Sequence, residues 1–300
     1  MITKLKFFLV SFCLLAFFGR ALANVAPDPL NQGITPARKD YRVQMVSEDV
    51  VVHLDSDWCR VEANFLLYNR SFSPASMEVG FPTGYKDEVK RLKVWKNGKR
   101  VKTRKVTEKE IMDPDGDPAV YHWVLWNMRF APLEKTSLKV TYSVKPRRNH
   151  DYLITFYRIS LEGIKKDAAE HKQIPAAVRQ VLDGIISYST GYIMMTGANW
   201  YDPIERATIT VKHPNGAGAV RWLKPAKNFT VVPEGIRWEF SHIKPDFDVQ
   251  VEFHGGWNLE EEIAVVKRAI EASDKNAALK EHLLYLEQMK KCLETGNCQE

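Results

Sequence analysis

Residues 60–67 read RVEANFLL, and this stretch decides the fold class. From Val61 to Leu67 every second residue is apolar, and the positions between them up to residue 64 are charged or polar. A period of two is typical of a β-strand with one buried and one exposed face. The neighbouring stretches repeat this alternation, with apolar residues at Val50, Val52 and Leu54 before it and at Met77, Val79 and Phe81 after it.

The strand pattern continues outward through most of the chain. Asn97-Gly98 separates two short alternating runs and is a strong signal for a two-residue β-hairpin. Residues 120–130 are apolar on both alternating faces, as expected for a central strand that is covered on both sides. Further strands are predicted at residues 138–144, 152–156, 185–195, 207–211, 236–240 and 249–253.

Two segments resemble each other as copies of one β unit. Residues 130–142 and 240–253 each contain an aromatic strand, a short turn with proline and then an alternating strand. The repeat predicts two sandwich-like lobes rather than a barrel of helices and strands. The predicted fold is therefore mainly β, with β-sandwich-like lobes at residues 41–160 and 185–256 and a short helical insertion at residues 161–184.

The C-terminal residues 257–300 carry a helical pattern instead. Asn258, with Glu261 three residues later, resembles a capping box at the start of a helix. Two apolar stripes at helical spacing follow, and they predict a C-terminal helical hairpin that either packs on the β lobes or binds a partner. The stripes are Ile263, Val266 and Ile270, then Leu279, Leu283, Leu286, Met289 and Leu293.

The N-terminus has the pattern of a secretory signal peptide. Lys4 and Lys6 precede an apolar run at residues 7–18, and Ala21-Leu22-Ala23 supplies the small residues of a cleavage site. We expect residues 1–23 to be removed and residues 24–40, which are rich in proline, to form an extended tether. The sequence thus predicts a periplasmic or secreted protein with no membrane span after removal of the signal.

Export permits a disulfide among the three remaining cysteines. Cys292 and Cys298 can close a small loop, with Gly296 between them to let the chain turn back. We expect these two to pair, which leaves Cys59 as a small core residue in a strand. A zinc site is not expected, since no second Cys or His pair lies at ligand spacing.

The charge of the exported chain is mild. Without residues 1–23 it has 40 basic and 37 acidic residues, a net charge of +3. Basic residues are concentrated between Lys86 and Lys105, which is the pattern either of a surface that attracts anions or of the solvated face of a hairpin. An exported protein rarely meets nucleic acid, so no nucleic-acid partner is expected.

Residues 193–204 read IMMTGANWYDPI and resemble a motif of domain of unknown function family 4424, an uncharacterised group of exported bacterial proteins. Further pieces are similar to that family in the same order, so that the resemblance covers residues 43–253. The resemblance implies an extracytoplasmic β-rich protein and implies no activity. These pieces are Ser47-Glu48-Asp49, Asn69-Arg70-Ser71, Phe81-Pro82, Trp238-Glu239-Phe240 and Pro245-Asp246-Phe247-Asp248.

The central motif has a structural and a functional interpretation. In the first, Gly191 and Gly197 permit a bulge or a sharp bend, and an aromatic residue closes the end of a sandwich. In the second, Asn199, Trp200 and Tyr201 form an exposed platform for a ligand. The structural interpretation is favoured because most large aromatic side chains are buried.

The usual signatures of catalysis are absent from the sequence, and no cofactor is expected. Asp113, Asp115 and Asp117 alternate in a way that could gather carboxylates around Ca²⁺. However, Pro118 stands where the calcium loop of an EF-hand has glycine, and an acidic turn explains the same residues without a metal.

The sequence favours a binding or interaction protein of the bacterial envelope. Its partner would be an envelope protein or a glycan, and the C-terminal helices are one surface on which it could dock. The alternative is an envelope hydrolase with its active site on irregular loops. Titratable groups with raised carboxylate pKa values in a pocket would favour the hydrolase, whereas a shallow aromatic or basic patch would favour binding.

Overall fold

The computed structural model describes residues 26–27, 42–84, 89–112, 118–148, 187–272, 277–296 and 298. It confirms a mainly β chain that ends in a helical hairpin. The strands are β1 (Ala26–Pro27), β2 (Val43–His53), β3 (Cys59–Asn69), β4 (Ala75–Gly84), β5 (Val89–Lys96), β6 (Lys99–Arg100), β7 (Arg104–Met112), β8 (Pro118–Phe130), β9 (Lys135–Val144), β10 (Arg147–Arg148), β11 (Ser187–Tyr192), β12 (Ile204–Lys212), β13 (Val220–Lys224), β14 (Phe229–Val232), β15 (Gly235–Ile243) and β16 (Val249–His254). The helices are α1 (Leu259–Ala272) and α2 (Ala277–Thr295).

These strands form one long sheet and two short ones. The eight-stranded sheet has the order β14-β15-β12-β2-β3-β9-β5-β6, and the four-stranded sheets have the orders β1-β4-β8-β7 and β10-β11-β16-β13. The long sheet contains strands from both predicted lobes because β2 pairs in parallel with β12.

Both short sheets lie against the long sheet. The ring of Phe81 on β4 lies 4.8 Å from the ring of Tyr142 on β9, measured between centroids. The hydroxyl of Tyr192 on β11 donates a hydrogen bond of 2.6 Å to Glu48 on β2. The fold is therefore two sandwich-like halves that share one sheet, with a continuous apolar core between the layers.

Local patterns in the sequence correspond to the observed elements. In β3 the side chains of residues 61, 63, 65 and 67 are buried, and their neighbours are more exposed. Asn97 and Gly98 have φ values of 48° and 75°, the left-handed conformation that a tight hairpin between β5 and β6 requires. The doubly apolar β8 lies between β4 and β7 as a central strand.

The helical hairpin packs on its own domain. Asn258 and Glu261 cap α1 reciprocally, each side chain accepting a 2.9 Å hydrogen bond from the backbone N–H of the other. The apolar faces of both helices belong to the core of the β layers, with Val266 and Leu286 fully buried. Cys292, in the last turn of α2, and Cys298, beyond the helix, form the predicted disulfide.

Cys59 is buried at the start of β3, as predicted, and burial raises the pKa of its thiol to about 12. The predicted signal peptide at residues 1–23, most of the predicted tether and the predicted helical insertion lie outside the described residues, as does the strand expected at 152–156. Within the described ranges, neither helix has the length and apolar character needed to cross a membrane.

Candidate functional site

Two of the segments that carry the family resemblance, residues 69–71 and residues 199–202, meet where β2 begins and β3 ends. The backbone N–H of Arg70 donates to the carbonyl of Arg42 at 2.8 Å, and that of Tyr201 donates to the adjacent carbonyl of Val43 at 3.2 Å. The guanidinium of Arg70 forms an ion pair of 2.7 Å with Asp202. Residues 69–71 and 199–202 are thus neighbours in space although they are far apart in sequence.

The first of these pieces contains a buried amide that fixes a turn. The Asn69 side chain is inaccessible to solvent, and its Nδ2 donates to the carbonyls of Ser73 and Ala131 at 2.9 and 2.8 Å. Its Oδ1 accepts hydrogen bonds from the backbone N–H and the hydroxyl of Ser71 at 3.1 and 2.8 Å. One side chain therefore ties the turn at residues 70–74 to the turn at residues 131–134.

The second turn is fixed just as firmly. The N–H of Leu133 donates to the carbonyl of Ser71 at 3.1 Å, and the N–H of Ala131 donates to the Glu134 carboxylate at 2.6 Å. Desolvation opposes the charge of this carboxylate. The hydrogen bonds from Ala131 and Thr136 and the charge of Lys96 nevertheless hold the pKa of Glu134 below its ordinary value.

These rigid turns carry apolar side chains into solvent. Phe72 is 85% exposed at the tip of its turn, and Leu133 is 44% exposed on the neighbouring turn. Tyr201, also 44% exposed, lies beside the Arg70–Asp202 ion pair. We call Phe72, Leu133, Tyr201, Arg70 and Asp202 the end surface. Large apolar side chains held in water by ordered backbone are typical of a contact surface.

The side chains of Asn199, Trp200 and Tyr201, the predicted platform, differ in their exposure to solvent. Trp200 lies in the core with 1% exposure, Asn199 is half-buried and Tyr201 faces solvent. A short 3-10 helix, Met195–Asn199, provides the bend before Trp200. Of the three residues, Tyr201 is thus the one with an exposed aromatic ring.

The carboxylate of Asp248, the residue before β16, holds this bend in place. Asp248 accepts hydrogen bonds from the backbone N–H groups of Met194 and Met195 at 2.8 and 3.2 Å. Burial raises the pKa of Asp248, and these two hydrogen bonds only partly oppose the shift. Since the carboxylate holds backbone, the structure gives it a role in shaping the loop.

The predicted calcium ligands Asp113, Asp115 and Asp117 lie outside the described residues. Among the residues that the structure does describe, no group of three or more His, Cys, Asp or Glu side chains is arranged to hold a metal ion.

A second polar network lies where the helical hairpin meets the short sheet β10-β11-β16-β13. Glu262 of α1 accepts a hydrogen bond of 3.1 Å from Nη2 of Arg221 on β13. Nε2 of His254 and Nε2 of His282 lie 2.5 and 2.9 Å from its two carboxylate oxygens. All four side chains are buried, and we call them the charged cluster.

In the charged cluster, the buried carboxylate of Glu262 is surrounded by Arg221 and two histidines. Burial alone would raise the pKa of Glu262, but the charge of Arg221 and the bonds from the two histidines hold it far below its ordinary value. Glu262 is therefore an anion whose oxygens are both occupied and cannot be reached by a substrate. This arrangement ties α1 and α2 to the sheet, and it is the opposite of the raised carboxylate expected of a general acid.

The sequence patterns had not identified either network. The cluster joins residues that are 8 to 41 positions apart, and only their pairing in space reveals it. A signal was nevertheless present, because Glu262 and His282 occupy the apolar faces of their helices beside Val266 and Leu286. Phe72 carried no periodic signal, since it lies in a turn.

Comparison with known proteins gives a fold similarity alone. No protein-family model matches the chain, and no curated protein matches it. The chain is similar to the crystal structure of a protein from Legionella pneumophila subsp. pneumophila str. Philadelphia 1 that is provisionally described as a nutrient binding protein. The match has 13% sequence identity and a TM-score of 0.49, and it covers 91% of this chain and 84% of that chain. Similarity at this level says nothing about what this chain binds.

Proposed function

We propose that the protein is an extracytoplasmic binding protein that contacts a partner protein through the end surface. The observation that carries the proposal is the 85% exposure of Phe72 on a turn whose backbone is fixed by the buried Asn69. A single aromatic side chain that projects from ordered backbone suits the anchor of a protein–protein interface, which fills an apolar pocket on the partner.

The rigidity of the two turns supports this function. Ordering a loop on binding costs free energy, and a turn that is already fixed in the free protein avoids that cost. The hydrogen bonds of Asn69 and the bond between Leu133 and Ser71 fix both turns before any partner arrives. The support comes from Phe72 together with Leu133, because exposed apolar side chains on two adjoining turns form a patch of the kind found at contact sites.

The structure offers less support for the hydrolase alternative. The charged cluster is a buried group of titratable side chains, but Glu262 is held ionised and out of reach of solvent. At the end surface, Arg70 and Asp202 are bound to each other as an exposed ion pair. The geometry thus favours binding over hydrolysis.

The extracytoplasmic location belongs to the same proposal. The disulfide between Cys292 and Cys298 supports it, because such bonds persist in oxidising compartments. The signal-like residues 1–23 and the resemblance to an exported family point in the same direction.

The test is site-specific photo-crosslinking in envelope extract. A photoreactive amino acid replaces Phe72 in one variant and Leu284, an apolar residue of α2 that is 56% exposed, in the control. We expect a discrete crosslinked protein at position 72 and none at position 284. We also expect Phe72→Ser to abolish retention of that protein by the purified chain, while Leu284→Ser retains it. Identical adducts at both positions, or unchanged retention by Phe72→Ser, would overturn the proposal.

A further inference from the structure

Residues 89–105 concentrate the positive charge of the chain. This segment contains nine Lys and Arg residues and no Asp or Glu. The whole chain has 43 basic and 37 acidic residues, so the rest of it has 34 basic residues against 37 acidic ones and is net negative. We call residues 89–105 the basic hairpin. The molecule is therefore strongly polarised, with all its excess positive charge in one segment.

The fold places the basic hairpin at the open edge of the long sheet. It comprises β5, β6 and the start of β7, and β6 is the outermost strand after β5. Lys93, Lys99 and Lys102 are exposed along it. In the part of the chain that the structure describes, acidic side chains from neighbouring elements approach the segment at two places, Glu134 at 3.5 Å from Lys96 and Glu78 at 2.7 Å from Arg104. A marked positive excess thus faces solvent at this edge.

Two tryptophans accompany the basic side chains. The ammonium of Lys90 lies 4.2 Å from the centre of the Trp58 ring, and the guanidinium of Arg100 lies 5.1 Å from that of Trp95. Both rings are half-buried. Tryptophan beside lysine or arginine is the combination found at membrane–water interfaces, where the ring has one apolar side and one polar edge.

Protection of a sheet edge explains only part of this pattern. Lysine on an edge strand discourages pairing with another chain, and this accounts for Lys99 and Arg100 on β6. The same explanation extends to Lys90 and Lys93, because β6 pairs with β5 at Trp95 and Lys96. It does not account for the two tryptophans against which Lys90 and Arg100 lie.

We propose that the basic hairpin is a docking surface for an anionic phospholipid bilayer. Each Lys or Arg near such a surface contributes about 1 kcal/mol of attraction. The segment therefore supplies enough charge to hold the protein on the membrane and to orient it, because the rest of the chain is net negative. Trp58 and Trp95 are positioned to enter the headgroup region. This docking is independent of the end surface and of its partner.

The test is co-sedimentation of the purified protein with phosphatidylglycerol-containing vesicles and with pure phosphatidylcholine vesicles at about 0.15 M salt. The variant is the triple substitution Lys93→Glu, Lys99→Glu and Lys102→Glu. The control is Lys227→Glu, Lys244→Glu and Arg268→Glu, which changes net charge equally at exposed positions outside the hairpin. Circular dichroism checks that both variants fold.

We expect binding to the anionic vesicles alone and a loss of about 100-fold or more in the hairpin variant, since three attractions of about 1 kcal/mol each are lost and three repulsive charges take their place. The control triple should bind within a few-fold of the wild type. Equal loss in both triples would show a response to net charge alone and overturn the proposal. The proposal would also be overturned if the wild type did not bind anionic vesicles, or if it bound a soluble polyanion instead of the vesicles. Phe72→Ser should leave vesicle binding unchanged, which separates this surface from the end surface.

Discussion

The charged cluster and the end surface are both built on polar networks. In the charged cluster the network joins elements of the fold, whereas at the end surface it fixes a turn that exposes an apolar side chain. In the cluster, Arg221, His254 and His282 surround Glu262, and every member of the network is buried. At the end surface, the equally buried Asn69 leaves the neighbouring Phe72 exposed to water. An ion-paired network between a sheet and two helices holds the fold together, and within it Nε and Nη1 of Arg221 and Nδ1 of His254 have no hydrogen-bond partner among the residues that the structure describes. At the end surface, the hydrogen bonds of Asn69 instead fix a turn that holds Phe72 in solvent, where its side chain adds nothing to the core.

The largest expected effect is at the charged cluster. Glu262→Ala removes the carboxylate that accepts the hydrogen bond of Arg221, and it leaves the buried guanidinium beside two histidines with the more distant Glu252, 3.8 Å from Nη1, as its anion. We expect the free energy of unfolding to fall by about 3–5 kcal/mol, the usual result when one partner of a buried ion pair is removed. Urea unfolding followed by circular dichroism measures this change.

A matched control lies on the same helix. Glu271 is an exposed residue of α1, and Glu271→Ala should change the free energy of unfolding by no more than about 0.5 kcal/mol. If the two substitutions have similar effects, the charged cluster does not tie the helical hairpin to the sheet.

An intermediate effect is expected at Asn69. Asn69→Ala leaves the carbonyls of Ser73 and Ala131 without their donor, and we expect a loss of about 2–3 kcal/mol in stability. The loss should be local, so amide hydrogen exchange at residues 70–74 should accelerate while α1 and α2 keep their protection. Crosslinking through position 72 should weaken in the same variant.

The control for this substitution is Asn64→Ala, because Asn64 lies half-exposed on β3 with one hydrogen bond of 3.4 Å to Glu62. It should leave exchange at residues 70–74 unchanged. Unaltered exchange in Asn69→Ala itself would mean that the turn is ordered by something other than this amide.

The smallest effect is expected at the exposed ion pairs of the two regions. Arg70→Ala at the end surface and Lys267→Ala on α1 each break a single pair, with Asp202 and Glu287 respectively. Both pairs are substantially exposed, so each substitution should cost about 0.2–1 kcal/mol in thermal or urea unfolding. Arg70→Ala should reduce partner crosslinking at position 72 and Lys267→Ala should not. Equal crosslinking in both variants would remove the Arg70–Asp202 pair from the contact surface.

The sequence predicted those elements that are formed by residues close to one another along the chain. Asn258 and Glu261 cap α1 because their side chains and backbone groups lie within one turn of each other. Asn97-Gly98 makes the tight turn of the β5–β6 hairpin because both residues tolerate positive φ. In the motif at residues 193–204, the sequence favoured a structural role for Trp200, and its side chain lies in the core.

The sequence by itself determined that the chain is mainly β, ends in a helical hairpin and carries a basic segment at residues 89–105, because periodicity, capping and charge are properties of short stretches. Only the tertiary structure decided that β2 and β12 join two halves into one sheet and that Glu262 finds Arg221. Such pairings depend on contacts between distant parts of the chain, which no local pattern encodes. The exposure of Phe72 was settled in the same way, because whether a turn residue is covered depends on what the rest of the fold places beside it.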